Sequence, residues 1–264
     1  MIRLKEPPGV LGAIVARTLE DLPARQSRSL SARAGEVRDF AAALSGPSES
    51  RGAPALIAEF KPRSPSRGDI RPGASVEDLA ALYAPYASAM SVLTDAPYFG
   101  GGLDLIARAR AHTPVPVLRK DFIVTRFQVE EAHAIGADAL LLMASLLTPA
   151  SLTELLDLTR SLGLEALVEV HDEAELGEAL EAGALVVGVN SRDLKTLKID
   201  LPRAHGLLSL VPSDRVVVAE SGLSSRADLD ALPANVHAVL IGTAFMSAPD
   251  PAAAIRAMGF CACG

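Results

Sequence analysis

Residues 115–137, VPVLRKDFIVTRFQVEEAHAIGA, contain one complete unit of the pattern that decides the fold. The run VPVLRKD (115–121) is short and apolar until its last three residues. RFQVEEAHAIGA then places apolar residues three and four apart with Glu and Arg between them, as an amphipathic surface helix does. The unit recurs in both directions. Upstream lie ALIAEFK (55–61) and AMSVLTD (89–95); downstream lie ADALLLMAS (137–145), LEALVEV (164–170), LVVGVNS (185–191), RVVVAES (215–221) and AVLIGTA (238–244).

These eight runs start about 20–35 residues apart, which leaves room each time for one strand, one helix and two loops. Their near-continuous apolarity predicts strands buried on both faces, as in a parallel sheet. Eight alternating βα units predict an α/β fold of the (β/α)8 TIM-barrel type. An open doubly wound sheet is the alternative, but it seldom needs eight parallel strands, and no GxGxxG follows the first run.

Residues 1–54 stand outside the repeat. GVLGAIVARTLEDLPARQ (9–26) predicts a helix with Leu11, Ile14, Val15, Leu19 and Leu22 on one face. VRDFAAALSG predicts a second, ending at Gly46 before the breaker-rich SGPSESRGAP. Neither helix can bury its stripe alone. Residues 1–54 are therefore expected to pack, as cover or as a lid, on a barrel formed by residues 55–264, the whole being one domain.

Composition narrows the partners. Of 264 residues, 49% are hydrophobic, enough for a large core, and 25 basic against 32 acidic side chains give a net charge of −7. That balance argues against nucleic-acid and membrane-surface partners, which select a basic face. The longest apolar stretch, Ala137 to Leu147, is far short of the ~20 residues of a membrane helix. The charged, proline-broken N-terminus does not read as a signal peptide, and Cys261 and Cys263 in the tail read as solvated thiols, so a cytoplasmic protein without disulfides is expected. Trp is absent, and only five of the basic residues are lysines: Lys5, Lys61, Lys120, Lys195 and Lys198.

In such a barrel the chemistry sits at the C-terminal ends of the strands. There the sequence places Glu59 and Lys61, Lys120, Glu169, Asn190 and Arg192, Glu220 with Ser221 and Gly222, and Gly242 with Thr243. Glu59 and Lys61 are two apart on a strand and point the same way. Burying Glu59, Lys61, Lys120, Glu169 and Glu220 in one mouth is costly unless they pair. A closing ring of ion pairs is one reading; a set of acids and bases with mutually shifted pKa values is the other. Ser221-Gly222 and Gly242-Thr243, after strands seven and eight, occupy the usual phosphate position of barrels, with Arg192 a candidate bidentate partner. The loop KPRSPSRGDIR carries Lys61, Arg63, Arg67 and Arg71 against Asp69 alone, a focused attraction for an anionic ligand on an acidic protein.

The segments IAEFKPRSPSRGDI, SVLTDAPYFGG, PVLRKDFIVTRFQVEEAHAIGADALLLMASLL, LVEVHDEAEL, GVNSRDLKT, AESGL and VLIGTAFM together resemble the indole-3-glycerol phosphate synthase family over about residues 9–257. The resemblance implies a (β/α)8 barrel with an N-terminal helical extension. It implies a carboxy-lyase of tryptophan biosynthesis that converts 1-(2-carboxyphenylamino)-1-deoxyribulose 5-phosphate to indole-3-glycerol phosphate, CO2 and water. No metal or organic cofactor is implied, and the partner is a small phosphorylated substrate. By the same resemblance Lys120 is the general acid, Glu59 and Lys61 are a catalytic pair, and Glu169 is a proton-transfer carboxylate. Asn190 and Glu220 position substrate hydroxyls and developing charge. Arg192, Ser221, Gly222, Gly242 and Thr243 meet the phosphate, while Arg63 and Ser64 lie near the anthranilate carboxylate. Three positions depart from the family pattern: Thr243 where Glu or Ser is common, Ser191 where Asn is common, and FGGG (99–102) where a polar residue often follows.

Two rivals stay open at this level. A Schiff-base aldolase barrel would use Lys61 or Lys120 as nucleophile. A barrel that only binds a phosphorylated metabolite or a protein partner would keep the mouth without turnover.

Overall fold

The computed structural model describes residues 2–6, 9–27, 29–46, 53–193, 196 and 198–262. Cys263, Lys195 and most of the breaker-rich stretch before residue 53 lie outside the described residues. Eight parallel strands close into a barrel: β1 (Ala55–Phe60), β2 (Ala89–Leu93), β3 (Val117–Lys120), β4 (Ala139–Met143), β5 (Glu165–Val170), β6 (Val186–Asn190), β7 (Val216–Glu220) and β8 (Ala238–Ile241). Each strand pairs with its neighbours in sequence, and β1 closes the ring against β8. Nearly every strand residue is buried, because interior layers cover one face and the outer helices cover the other. Several of those helices begin on a side-chain cap. Thr125, Asp172 and Ser225 accept from the backbone N–H of Gln128, Glu175 and Asp228 respectively.

The N-terminal segment runs from one end of the barrel to the other. Helix α1 (Gly9–Gln26) lies at the mouth, where Val10, Leu11 and Ile14 line the central cleft. Its last turn is fastened by Arg25, which donates to Glu131 on the helix after β3. The chain then descends to the opposite end, where Arg33 donates 2.7 Å to Asp138, just ahead of β4. Asp138 is fully buried, yet both its oxygens are used: Oδ1 also accepts from Arg38 N and Arg110, and Oδ2 from Val117 N. Helix α2 (Phe40–Ser45), capped by Asp39, buries Phe40 and Leu44 against β1, β2 and β7. Each of those side chains contributes about 1.5–3 kcal/mol.

The apolar stripe of α1 differs from its sequence reading at one position. Leu19 is exposed, and Thr18 occupies the buried position beside Leu11, Ile14, Val15 and Leu22. Thr18 follows Leu11, Ile14 and Val15 at spacings of seven, four and three, so it continues their line and Leu19 falls beside it. Among the described residues no helix is long and apolar enough to cross a membrane.

Candidate active site

Alternation on β3 sorts its charges. Arg119 points outward and is fully buried, held by Asp121 at 2.8 Å, Glu131 at 3.0 Å and the Gln128 carbonyl at 3.0 Å. Lys120 therefore points inward to the mouth. Its Nζ lies 3.1 Å from Glu169 Oε2 and 2.5 Å from Glu220 Oε2. Lys61 Nζ pairs with Glu59 Oε1, and Ser91 Oγ donates to Glu59 Oε2 at 3.4 Å. Strands β1, β3, β5 and β7 thus deliver their charged ends to one cleft, the convergence that alternate strands of a barrel produce.

Glycines make room for the carboxylates. A Cβ at Gly188, in the middle of β6, would fall well inside contact distance of Glu220 Oε1 and 3.0 Å from Leu167 Cδ1. A Cβ at Gly242 would run into the Glu59 carboxylate in the same way. Close approach requires glycine at both positions; neither has a positive φ.

Electrostatics separates the two carboxylates on Lys120. Burial penalises the ammonium, but Glu220 and Glu169 outweigh this and hold Lys120 charged, well above its ordinary range. Burial pushes the Glu220 carboxyl up; Lys120 opposes this, Glu169 and Glu59 reinforce it, and the result is about 7. Glu169 suffers the same desolvation, but Lys120 and His171 together hold it well below the usual carboxylate range. Glu220 Oε1 is buried with no partner among the described residues.

Arg192, Ser221 and Thr243 line the same cleft. Ser221, at φ 68°, is the one non-glycine in the left-handed region among the described residues, and Gly222 follows at φ 76°. A left-handed non-glycine costs roughly 1–3 kcal/mol and persists where the surroundings fix it. Ser191 Oγ donates 3.0 Å to the Ser221 carbonyl, so the serine at that departure from the family pattern helps fix this turn. Asn190 Oδ1 accepts from Arg192 N at 3.0 Å, which orders the end of β6. Burial and the neighbouring Arg67, which also lines the cleft, both lower the Arg192 pKa.

Much of the lining is apolar: Val10, Leu11 and Ile14 of α1, with Leu93, Phe99, Phe122, Leu141, Met143 and Leu240. Phe99 and Phe122 are tilted neighbours with ring centroids 6.0 Å apart. The FGGG departure is explained by the turn itself. Gly100 ends the short helix Ala96–Phe99 at φ 66°, and a Cβ at Gly101 would strike the Leu93 carbonyl.

The cleft is lined by Glu59, Lys61, Ser64, Lys120, Glu169, Asn190, Arg192, Glu220, Ser221 and Thr243, with Gly222 and Gly242 beside Ser221 and Thr243 in the chain. Arg63 is the exception: its guanidinium turns outward to Asp69 at 2.6 Å, half exposed, and does not line the cleft. Arg63 pairs with Asp69 across a short antiparallel ladder (63–64 with 68–69), which aims its side chain at the carboxylate opposite; Arg67, in the intervening turn, takes the inward position. Sequence reasoning also missed His171, whose partner Glu175 lies four residues on and becomes adjacent only once the helix after β5 forms. The mid-strand Gly188 was a usable signal, since glycine inside a strand marks a close approach.

A model of the indole-3-glycerol phosphate synthase family matches residues 11–258. A relative from Burkholderia vietnamiensis (strain G4 / LMG 22486), named indole-3-glycerol phosphate synthase, is 44% identical over 248 residues, covering 93% of this chain and 94% of its own. Indole-3-glycerol phosphate synthase 2 of Streptomyces coelicolor (strain ATCC BAA-471 / A3(2) / M145) is 46% identical over 259 residues, covering 95% and 98%. Among solved structures, a 3-hexulose-6-phosphate synthase superposes with a TM-score of 0.61 over 77% of this chain and 97% of its own, at 17% identity, which bears on the barrel fold alone. With this much of its length matched, at this identity and around this cleft, the chain belongs to the indole-3-glycerol phosphate synthase family.

Proposed function

We propose that this cleft closes the indole ring of indole-3-glycerol phosphate, converting 1-(2-carboxyphenylamino)-1-deoxyribulose 5-phosphate with loss of CO2 and water, in tryptophan biosynthesis. The observation that carries the reading is the position of Lys120. It is a largely buried ammonium between two carboxylates, in a cleft that apolar side chains and the guanidinium groups of Arg67 and Arg192 also line.

Ring closure requires an aromatic carbon to attack a ketone, and negative charge develops on the ketone oxygen. An ammonium held charged by its neighbours protonates that oxygen as the bond forms. Loss of CO2 restores aromaticity and needs little beyond a dry, apolar surround for the carboxylate. The aromatic ring fits the wall made by α1, Phe99 and Phe122. Dehydration then needs a second acid for the leaving hydroxyl and a base for the remaining proton. Lys61, the other ammonium of the cleft, is the acid in this reading, and Glu169, kept ionised, is the base. Glu220 and Asn190 orient the hydroxyls. Arg192, the Ser221-Gly222 turn and Gly242-Thr243 take the phosphate, while Arg67 and Ser64 serve the anionic groups near the first loop. An exposed free thiol at Cys261 and a small-metabolite substrate fit a cytoplasmic enzyme.

The test mixes purified protein with the carboxyphenylamino-deoxyribulose phosphate and follows indole emission together with CO2. The protein contains no Trp, so it adds no indole fluorescence of its own. Both signals are expected to rise together; saturating substrate without either signal overturns the proposal. Borohydride trapping of a covalent adduct would instead favour the Schiff-base aldolase.

A further inference from the structure

Behind Glu169 stands a group that the reaction outlined above leaves unused. His171 follows it by two residues, at the end of β5, and the ring is buried. Its Nδ1 lies 3.0 Å from Glu175 Oε2, and the same oxygen accepts from the His171 backbone N–H at 2.8 Å. The backbone contact holds the Glu175 oxygen in place, and that oxygen in turn holds the ring through Nδ1. Its other nitrogen, Nε2, is buried without an aligned hydrogen bond and lies 3.3 Å from Glu169 Oε1. Glu169 Oε2 is the oxygen on Lys120. A single carboxylate is therefore held between an imidazole on one oxygen and an ammonium on the other.

The two carboxylates that share Lys120 differ in this respect. Glu220 has Lys120 on Oε2 and, among the described residues, no partner on Oε1; Glu169 has a basic group on each oxygen. The remaining charges around His171 do not alter this asymmetry. Asp172 is turned to the Glu175 backbone N–H at 2.9 Å, and Arg203, from the helix after β6, donates to the His171 carbonyl rather than to the ring.

We propose that His171, anchored by Glu175, is a positioning residue that keeps Glu169 ionised and oriented as the proton-accepting carboxylate of the Lys120 site. This rests on the reading of Glu169 as the base of the dehydration step. A row of alternating charge, Glu175, His171, Glu169, Lys120, Glu220, then enters the cleft with its unpaired end at Glu220. Consistent with the geometry, burial disfavours the imidazolium, but Glu169 and Glu175 overcome this and lift His171 to about 10.

The test is the pH profile of kcat. In His171→Asn the acid limb of kcat is expected to move up by about one unit or more, because Glu169 has lost a facing charge. Turnover then falls about tenfold relative to the parent on the acid side of that limb, with a much smaller change at pH 9 and KM within about threefold. Glu175→Gln is expected to move the limb in the same direction by less. A folded His171→Asn protein whose profile is parallel to the parent's at every pH overturns the proposal, since a purely structural role lowers activity uniformly. The parent protein supplies a check independent of variant folding. Ring-nitrogen NMR shifts of His171 should remain those of an imidazolium up to pH 8.5, and deprotonation near 6.5 overturns the proposal. Glu169→Gln separates the two layers. If it turns over normally, the base assignment falls and the positioning role falls with it. If it is impaired while the His171→Asn profile stays unmoved, the positioning role falls alone.

Discussion

Glu220 gives one oxygen to Lys120 Nζ at 2.5 Å and leaves the other, Oε1, buried without a partner among the described residues. An unsatisfied buried acceptor costs about 1–3 kcal/mol, so such an atom in a cleft calls for a donor from outside the described residues. A hydroxyl of the bound substrate is that donor in the proposed reaction.

The acid limb of kcat/KM should report this carboxylate. Its pKa is pushed by burial to about 7, so protonation grows as pH falls through 7 and weakens the attraction for Lys120. Activity in the free-enzyme profile is expected to fall below pH 7. In Glu220→Gln that limb should vanish, leaving a lower rate with little dependence on pH. A pH series of initial rates on both proteins reads this directly.

Gly188→Ala should disable the site without touching any charged residue. The new Cβ would overlap Glu220 Oε1 and crowd Leu167, so the carboxylate must shift. Overpacking of this kind costs about 1–3 kcal/mol of stability. Misplacing a group by about 1 Å costs about 10²-fold in rate. Steady-state kinetics with a thermal melt should show kcat falling more than stability explains. Parental kcat in a folded variant would mean the overlap relaxes harmlessly.

Two neighbouring arginines should behave differently. Arg63 makes an exposed pair with Asp69 that solvent screens, and it does not line the cleft, so Arg63→Ala should leave kcat and KM near parental values. Arg67 lines the cleft and acts on Arg192, so Arg67→Ala should raise KM about tenfold or more through loss of an anion contact. The reverse ranking in substrate titrations would show that the loop turns over when it binds.

Stability should depend on pH through His171. Its folded pKa, near 10, lies above the ordinary 6.5, so its contribution is complete below about pH 6.5 and is lost as pH rises through about 10. The stability gap between the parent and His171→Asn should therefore be largest at pH 6, on the order of 2–4 kcal/mol, and close toward pH 10. Denaturant titrations at three pH values measure it.

The barrel was legible because strand apolarity is local: each run declares its burial within seven to nine residues. Glu59 with Lys61 was legible for the same reason, as the two-residue repeat of a strand sets their common face. Lys120, Glu169 and Glu220 needed only the further rule that strand ends converge. His171 and Glu175 were not legible as a pair, because the strand-to-helix transition brings them together. Arg63 and Arg67 could not be ranked, since the short ladder at 63–64 and 68–69 decides which one turns inward. Leu19 looked as apolar as its neighbours, and a small shift of the α1 stripe leaves it in solvent.

The most direct test of the central claim is a single-turnover comparison of the parent protein with Lys120→Ala, following indole emission at saturating substrate. The parent should form indole-3-glycerol phosphate, and the folded variant should do so roughly 10²–10⁴-fold more slowly, the range for loss of a general acid. Circular dichroism shows whether the variant retains the fold. A well-folded Lys120→Ala protein that closes the ring at close to the parental rate would contradict the assignment of Lys120.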